Sequence, residues 1–321
     1  MKRNIMVLVM VALLVLSAGS IFGAGKTEAA ADGPKVIGFS QCDSQQAWRW
    51  AETESVKEEA ANRGYVLQYN DAQSSQANQI AAVRSFIAQG VDGILLAPQV
   101  TTGFGPVLRE AKEAGIPVVL LDRKVDESED LFVTFIGSDF VWEGEQVGKL
   151  VLEDTKGKAN IVELQGTPGA DPAIERKAGF EKVVKANPGM KIILSQTGDF
   201  NRTKGKEVME AFLKAEGKNI DVVYAHNDDM AIGAIQAIKE YGMDPGKDIL
   251  VYSIDGVRDG FQAMVDGDLN ALVECTPLLG PQGFDALEAA WRGESVPKWV
   301  KSEDGIFRMA DAAALIGGRK F

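Results

Sequence analysis

The sequence predicts an α/β protein built from two doubly wound parallel sheets. Short apolar runs rich in β-branched residues alternate with longer amphipathic stretches almost to the end of the chain, which is typical of consecutive βαβ units. About five such runs fall in each half of the sequence, which indicates two sheets. A chain of 321 residues, 45% of them hydrophobic, is also long enough for two ordinary cores.

Ten strands are predicted from these runs. They are residues 35–40, 65–70, 93–97, 117–122 and 132–137 in the first series, and 160–164, 191–195, 221–225, 249–254 and 270–273 in the second. The intervening stretches carry apolar residues at the helical period, as at Ile80, Val83 and Ile87.

Helix ends are predicted from glycine and from capping residues. We expect Gly64, Gly90, Gly115 and Gly242 to take the left-handed conformation after four helices. Asp171 and Pro172 are expected to be the N-cap and first residue of a helix.

The first residues of the chain have the layout of a secretory signal peptide. Lys2 and Arg3 precede an apolar run at residues 5–16, and small residues follow through Gly25. The apolar run is short for a membrane span, although a retained anchor is the alternative. Ser20 stands where a lipoprotein would carry its lipid-bearing cysteine. We therefore expect residues 1–25 to be a signal peptide and the mature protein to be an unlipidated protein of the periplasm.

The charge balance argues against nucleic acid as a partner. Lys and Arg total 34 against 46 Asp and Glu, so the formal net charge is −12. A negative surface repels phosphate backbones instead of releasing their counterions.

Polar and aromatic residues collect where the predicted strands end. In open α/β sheets ligands bind beyond the carboxyl ends of the strands. The residues there are Ser40, Trp48, Arg49, Asp122, Arg123 and Asp139 in the first series, and Arg176, Phe200, Asn227 and Asp255 in the second. Carboxylates accept from sugar hydroxyls, guanidinium groups donate to neighbouring oxygens, and aromatic rings cover the C–H face of the ring. The mixture favours a carbohydrate cleft over a phosphate site.

Each of these residues also has a purely structural explanation. Asn227 and Asp255 could be helix N-caps or turn residues. Arg123 could form a surface ion pair, and Trp48 could be a core residue. Arg176 lies in a charged stretch that, taken alone, is typical of a solvated helix face. Their coincidence at one end of the strands favours a binding site.

Neither catalysis nor a metal or cofactor is expected. His226 is the sole histidine, and no nucleophile elbow, metal motif or glycosidase-like carboxylate pair accompanies it. Cys42 and Cys275 are far apart and have no metal-type spacing.

At the polar strand ends the sequence resembles the periplasmic sugar-binding proteins of ABC importers, in the ribose and galactose group, and is most similar to its galactofuranose-binding branch. The matching stretches run through nearly all of the mature chain. They are residues 36–40, 79–80, 83–86, 89–94, 120–123, 162–167, 224–230 and 253–257.

The resemblance implies the type I periplasmic binding protein fold, in which a three-strand hinge joins two lobes. The N-terminal lobe is expected to comprise residues 34–137 plus 277–304, and the C-terminal lobe residues 138–276 plus 305–321. Cys42 would then lie on a cleft loop and Cys275 in the hinge. We expect both thiols to be unpaired, because a bridge would restrain the opening that ligand exchange requires.

The resemblance also implies that the ten residues at the strand ends contact a sugar. Trp48 and Arg49 favour galactofuranose or a galactose-like hexose, since ribose binders tend to carry two phenylalanines there. Ribose, another pentose or a polyol is the alternative. Ribose binders have a polar sugar contact near the position of Cys275, and this chain does not. The orientation of one sugar hydroxyl is therefore left open.

The expected function is therefore capture of a monosaccharide by a non-enzymatic, monomeric protein that delivers it to an ABC importer permease, with a chemoreceptor as a further candidate partner. A sugar-responsive transcription regulator shares the fold, but it would carry a basic helix-turn-helix where this chain has a signal peptide. An enzyme acting on sugars is the second rival.

Overall fold

The part of the protein described by this computed structural model comprises residues 33–321. The predicted signal peptide lies outside the described residues. Within residues 33–321 no helix combines the length and the apolar character that a membrane crossing requires.

Strands and helices alternate along the described chain. The strands are β1 Val36–Gln41, β2 Val66–Asp71, β3 Gly93–Leu96, β4 Val118–Leu121, β5 Phe135–Gly137, β6 Ala159–Gln165, β7 Met190–Thr197, β8 Val222–Ala225, β9 Leu250–Asp255, β10 Ala271–Glu274, β11 Trp299–Lys301 and β12 Ile306–Arg308. The α-helices are α1 Ala47–Asn62, α2 Gln76–Gln89, α3 Gly105–Glu113, α4 Phe140–Asp154, α5 Asp171–Ala186, α6 Arg202–Glu216, α7 Asp228–Glu240, α8 Arg258–Val265, α9 Gly280–Trp291 and α10 Met309–Leu315.

These strands form two six-stranded sheets, which confirms the predicted fold class. The first has the order β11-β5-β4-β3-β1-β2 and is parallel throughout. The second has the order β12-β10-β9-β8-β6-β7 and is parallel except for the edge strand β12. In both sheets the strand order reverses after the first strand of the series, which leaves a crevice at the carboxyl ends. We call the first sheet with its helices the first lobe and the second sheet with its helices the second lobe.

Helices cover both faces of each sheet. In β3, Ile94 and Leu96 pack with helices α2 and α3, while Leu95 and the adjoining Ala97 pack with α1 and α9. Strands that are buried on both faces read as continuous apolar runs, and this is why the central strands were visible in the sequence.

The chain passes between the two sheets three times. It leaves the first after Gly137, returns after Glu274 and crosses again between β11 and β12. In the third crossing, Asp304 accepts a hydrogen bond from the backbone N–H of Thr276 in the second, at 3.0 Å. The division into lobes at residues 34–137 plus 277–304 and 138–276 plus 305–321 stays a prediction.

All four glycines that were predicted to follow helices have a positive φ, between 66° and 86°. Most differences from the prediction concern the ends of helices and strands. The predicted cap of α5 is wrong by one residue, because Ala170 is the N-cap and Asp171 is already helical. Strands β11 and β12 were not predicted, since three residues are too few to show a period.

Candidate functional site

Eight of the ten predicted site residues line one cavity between the lobes. The lining consists of Gln46, Trp48, Arg49, Asp122, Arg123, Pro172, Arg176, Phe200, Asn227, Asp255 and Cys275. Its volume is about 20 Å³, which is close to the space of one water molecule. Side chains from the two lobes therefore nearly meet in this conformation, and we expect a sugar to enter only when the lobes separate.

In the first lobe, α1 and the end of β4 place one arginine against two carboxylates. Arg49, in the first turn of α1, donates from Nη1 to Glu52 at 2.8 Å and from Nη2 to Asp122. All three side chains are buried. Asp122 has a φ of 60°, a conformation that costs energy for a residue with a side chain and is often found at binding sites.

In the described part of the chain, Arg123, the next residue, donates hydrogen bonds from Nη1 alone. Its Nη1 donates to the carbonyl oxygen of Gln99 at 3.0 Å. Its Nε is buried and has no hydrogen-bond partner among the described residues, and the nearest carboxylate oxygen, on Asp122, is 3.5 Å away. Part of this guanidinium therefore remains able to donate to a ligand.

In the second lobe, Arg176 occupies the corresponding place. Its Nε donates to Glu143 at 2.7 Å and its Nη1 to the carbonyl oxygen of His226 at 2.6 Å. Within residues 33–321 its Nη2 makes one long contact, with Asp255 at 3.4 Å. Asp255 ends strand β9 with a φ of 129°, so it is a second carboxylate with an unusual backbone at the cavity.

Phe200 supplies an aromatic ring between arginines of the two lobes. The guanidinium carbons of Arg123 and Arg176 lie 5.5 Å and 6.0 Å from the ring centroid. Phe200 itself has a φ of 57°. A Cβ on Gly166, which follows β6, would clash with the ring, so this glycine is needed for the ring to reach its place.

Trp48 belongs to the cavity and to a core at the same time. It packs with Phe140 and Tyr224, which are residues of the second lobe. Its indole Nε1 donates to the carbonyl oxygen of Cys275 at 2.6 Å. The guanidinium carbon of Arg49 lies 4.6 Å from the centre of its ring. Trp48 is thus both a core residue and a cavity residue, which were the two alternatives that the sequence left open.

Asn227 also combines both alternatives. Its Oδ1 caps helix α7 by accepting from the backbone N–H of Met230 at 3.0 Å, and its Nδ2 donates to the carbonyl oxygen of Phe200 at 3.2 Å. Asn227 follows β8 at the crevice, so its side chain can cap helix α7 and also line the cavity.

Ser40 and Asp139 are not brought to the cavity. The hydroxyl of Ser40 donates to the side-chain oxygen of Asn70 on the neighbouring strand at 3.2 Å. Asp139 caps α4 through the N–H of Trp142 and pairs with Lys301 at 2.8 Å. In this structure both side chains have local structural partners.

Sequence reasoning missed several residues around the cavity. Gln46 and Pro172 lie beside predicted residues, and Cys275 was noticed only as a departure from the ribose binders. The buried Glu52 and Glu143 lie on helices, where charged residues are usually exposed. A hydropathy pattern carries no signal for a carboxylate buried behind an arginine.

Burial raises the pKa of three carboxyl groups in or behind the cavity. It raises the pKa of Glu52 to about 7 and that of Glu143 to about 8, against the attraction of Arg49 and Arg176 respectively. Burial also raises the pKa of Asp255 well above its usual range. Glu52 and Glu143 are therefore partly protonated near neutral pH.

His226 is part of the core behind the site. Burial lowers its pKa, and its Nε2 lies 3.2 Å from an oxygen of Glu163. The fully buried carboxylate of Glu163 is therefore a structural partner of His226. Within residues 33–321 no cluster of His, Cys, Asp and Glu side chains could hold a metal ion.

Both cysteines are buried and free, as expected. Burial raises the pKa of the Cys42 thiol to about 11 and that of Cys275 well above its usual range, so both stay protonated at neutral pH.

The rims of the two lobes also touch directly. Lys124, which follows β4, has its Nζ 2.6 Å from Glu175 on α5, and its backbone N–H faces Asp171 at 3.4 Å. The N–H of Thr101 donates to the carbonyl oxygen of Gly169 at 3.0 Å. These contacts stabilise the closed arrangement independently of the cavity.

Comparison with known proteins agrees with this geometry. The family model of the periplasmic binding protein domain matches residues 37–295. A galactofuranose-binding protein of Escherichia coli K12 is 52% identical over 94% of this chain and 95% of its own length.

Two solved structures are similarly close. The binding protein of the arabinose ABC transporter of Shewanella sp. ANA-3, bound to α- and β-L-arabinofuranose, is 52% identical with a TM-score of 0.87 over 89% of this chain and 96% of that one. A protein of Mycobacterium smegmatis in complex with β-D-fucofuranose is 48% identical, with a TM-score of 0.87 over 89% and 95%.

Proposed function

This chain belongs to the periplasmic binding protein family, and on that premise we propose that it captures a galactose-like monosaccharide, in its five-membered ring form, between its two lobes. One observation carries the proposal. Three arginines, two aspartates, an asparagine and two aromatic rings, drawn from both lobes, are buried around one cavity. Hydroxyls need such donors and acceptors, and the carbon face of the ring needs the aromatic groups.

The sugars named with the relatives support the five-membered ring form. Galactofuranose, L-arabinofuranose and D-fucofuranose are named with three proteins that are 48–52% identical to this chain. Fucose is galactose without its terminal hydroxyl, and L-arabinose has the hydroxyl arrangement of galactose on a chain one carbon shorter. The three sugars therefore share ring stereochemistry and differ in the exocyclic tail. We assign recognition of the ring to the charged residues and expect tolerance at the tail.

Binding and closure are linked by the division of contacts. Trp48, Arg49, Asp122 and Arg123 come from the first lobe, and Arg176, Phe200, Asn227 and Asp255 from the second. A sugar that touches both sets favours the closed state, because a ligand shifts a conformational equilibrium only by its differential affinity. A wrong epimer leaves a buried polar group unpaired, at about 1–3 kcal/mol each.

The relatives are transport proteins, and the proposal includes the same role here. The protein would act in the periplasm as a monomer, present the closed complex to an ABC importer and release the sugar chemically unchanged. Ribose, another pentose or a polyol is the second candidate, supported by a ribose import binding protein of Bacillus subtilis that is 31% identical over 94% of this chain.

The test separates ring form from sugar identity. Protein freed of bound sugar by unfolding and refolding is titrated by calorimetry with D-galactose, L-arabinose, D-fucose, D-ribose and D-glucose. Carbon NMR of bound, isotope-labelled galactose then reports its ring form. We expect the first three sugars to bind and the bound ring to be the furanose, with an apparent affinity reduced by the furanose fraction in solution. Binding of ribose alone, a bound pyranose, or conversion of the sugar would contradict the proposal.

A further inference from the structure

Glu143 lies behind the cavity, between the ligand arginine of the second lobe and the hinge. It is on α4, is fully buried and does not line the cavity. One of its oxygens, Oε2, accepts from Nε of Arg176 at 2.7 Å. The other, Oε1, is buried without a hydrogen-bond partner among the described residues.

The bond to Nε determines what the rest of the guanidinium can do. With its Nε edge held by Glu143 and Nη1 on the carbonyl of His226, the planar group can present only Nη2 to Asp255 and the cavity. A guanidinium is rigid, so fixing two of its nitrogens fixes the third.

The surroundings of Glu143 are the crossings between the lobes. Burial is the main reason why the pKa of Glu143 is raised; of the groups in the crossings, the charge of Asp304 raises it further and the Cys275 thiol lowers it. Cys275 also lies 3.5 Å from the hydroxyl of Ser138. Ser138, Cys275 and Asp304 belong to the three different crossings.

From this placement we infer that Glu143 is a positioning residue for sugar binding, which orients Arg176 toward the cavity. The inference rests on the proposed function. The first lobe has a parallel arrangement, since Glu52 accepts from Arg49 at 2.8 Å and its other oxygen is buried without a hydrogen-bond partner in the described part of the chain.

The test compares two buried glutamates of the second lobe. Glu143→Gln keeps the volume and an acceptor oxygen but cannot carry the negative charge that Glu143 has above its pKa of about 8. Glu163→Gln is the matched control, since Glu163 is equally buried and paired, with His226 and Lys177. At pH 9, where both glutamates of the wild type are ionised, calorimetry with D-galactose should show a loss of affinity of about tenfold or more for E143Q and less than about twofold for E163Q. Thermal unfolding of both variants measures the purely structural cost.

A double-mutant cycle shows whether Glu143 acts through Arg176. Arg176→Lys places a methylene where Nε stood, so E143Q should add little to R176K, whereas its effect should be additive with Arg123→Lys. An E143Q affinity within twofold of wild type, an equal loss in E163Q, or additivity with R176K overturns the inference. Failure of wild type to bind any sugar would instead count against the proposed function.

Discussion

The indole Nε1 of Trp48 donates to the carbonyl oxygen of Cys275 at 2.6 Å, which joins the first turn of α1 to the segment by which the chain returns to the first lobe. Trp48 is a first-lobe residue whose ring is buried in the core of the second. Because the bond links the first lobe to a crossing and the ring packs in the second lobe, we expect it to favour the closed state whether or not the cavity holds a sugar.

Removing the indole donor should therefore favour the open state. In Trp48→Phe the ring face remains, but the carbonyl of Cys275 loses its partner, at about 1–3 kcal/mol. We expect sugar affinity to fall about tenfold or more, and small-angle scattering of the sugar-free protein to show a larger radius of gyration. Trp291→Phe is the control, because it loses a similar bond, to the carbonyl of Asp92 at 2.8 Å, away from the crevice. Equal effects of the two substitutions would contradict a role in closure.

Arg123 should matter for binding far more than for folding. In Arg123→Ala the lost donor atoms include an Nε with no partner among the described residues, and the bond to Gln99 is the main internal loss. We expect tight binding to be abolished and the unfolding temperature of the sugar-free protein to fall by only about 2–4 °C. Calorimetry and thermal unfolding measure the two quantities. Arg84→Ala, at an exposed ion pair with Glu110, should change neither, and a large stability loss in R123A would favour a structural role for Arg123.

The sequence predicted the residues around the cavity best where a strand end determined their position. Asp122 follows the buried strand β4 and Asp255 ends the buried strand β9, so the topology alone brings them to one crevice. Ser40 and Asp139 satisfy the same rule, yet their side chains bond locally, because alternation along a strand and the choice of helix cap decide the direction of a side chain.

The burial of Arg176 could not be predicted from the sequence. Its charged neighbours indicate a solvated helix face, but the residue is buried because α4 and α5 approach closely. Two glycines permit this approach, since a Cβ on Gly144 would meet the carbonyl of Arg176 and a Cβ on Gly179 would meet that of Val141. Such a contact depends on two helices together and is absent from the periodicity of either one.

The ion pair of Lys124 with Glu175 should slow release of the sugar. It joins the rims of the two lobes at 2.6 Å, with both side chains partly exposed. We expect Lys124→Gln to raise the dissociation rate severalfold in stopped-flow fluorescence, and added salt to reduce the difference from wild type. Lys182→Gln removes an equally short pair, with Glu145, that lies within the second lobe, and it should have no effect. If the difference in dissociation rate between Lys124→Gln and wild type did not depend on salt, an electrostatic effect of this ion pair would be ruled out.

Stability of the sugar-free protein should decrease from about pH 5 to pH 8. Burial raises the pKa of Glu143 from 4.5 to about 8 and that of Asp171 from 3.8 to about 7, so the folded protein binds more protons than the unfolded chain in this range. Each group therefore contributes stability below its unfolded pKa, and this contribution is lost as pH rises through the folded value.

Glu163 acts in the opposite sense. Although burial opposes the shift, its hydrogen bond with His226 lowers its pKa from 4.5 to about 2, so its contribution is lost as pH falls below about 4.5. Urea unfolding at pH 3, 5 and 8 should therefore give the largest free energy near pH 5. The decrease toward pH 8 should be smaller in Glu143→Gln than in wild type, because glutamine cannot titrate. A wild-type free energy of unfolding that rises from pH 5 to pH 8 would show that the buried carboxyls are already ionised at pH 5.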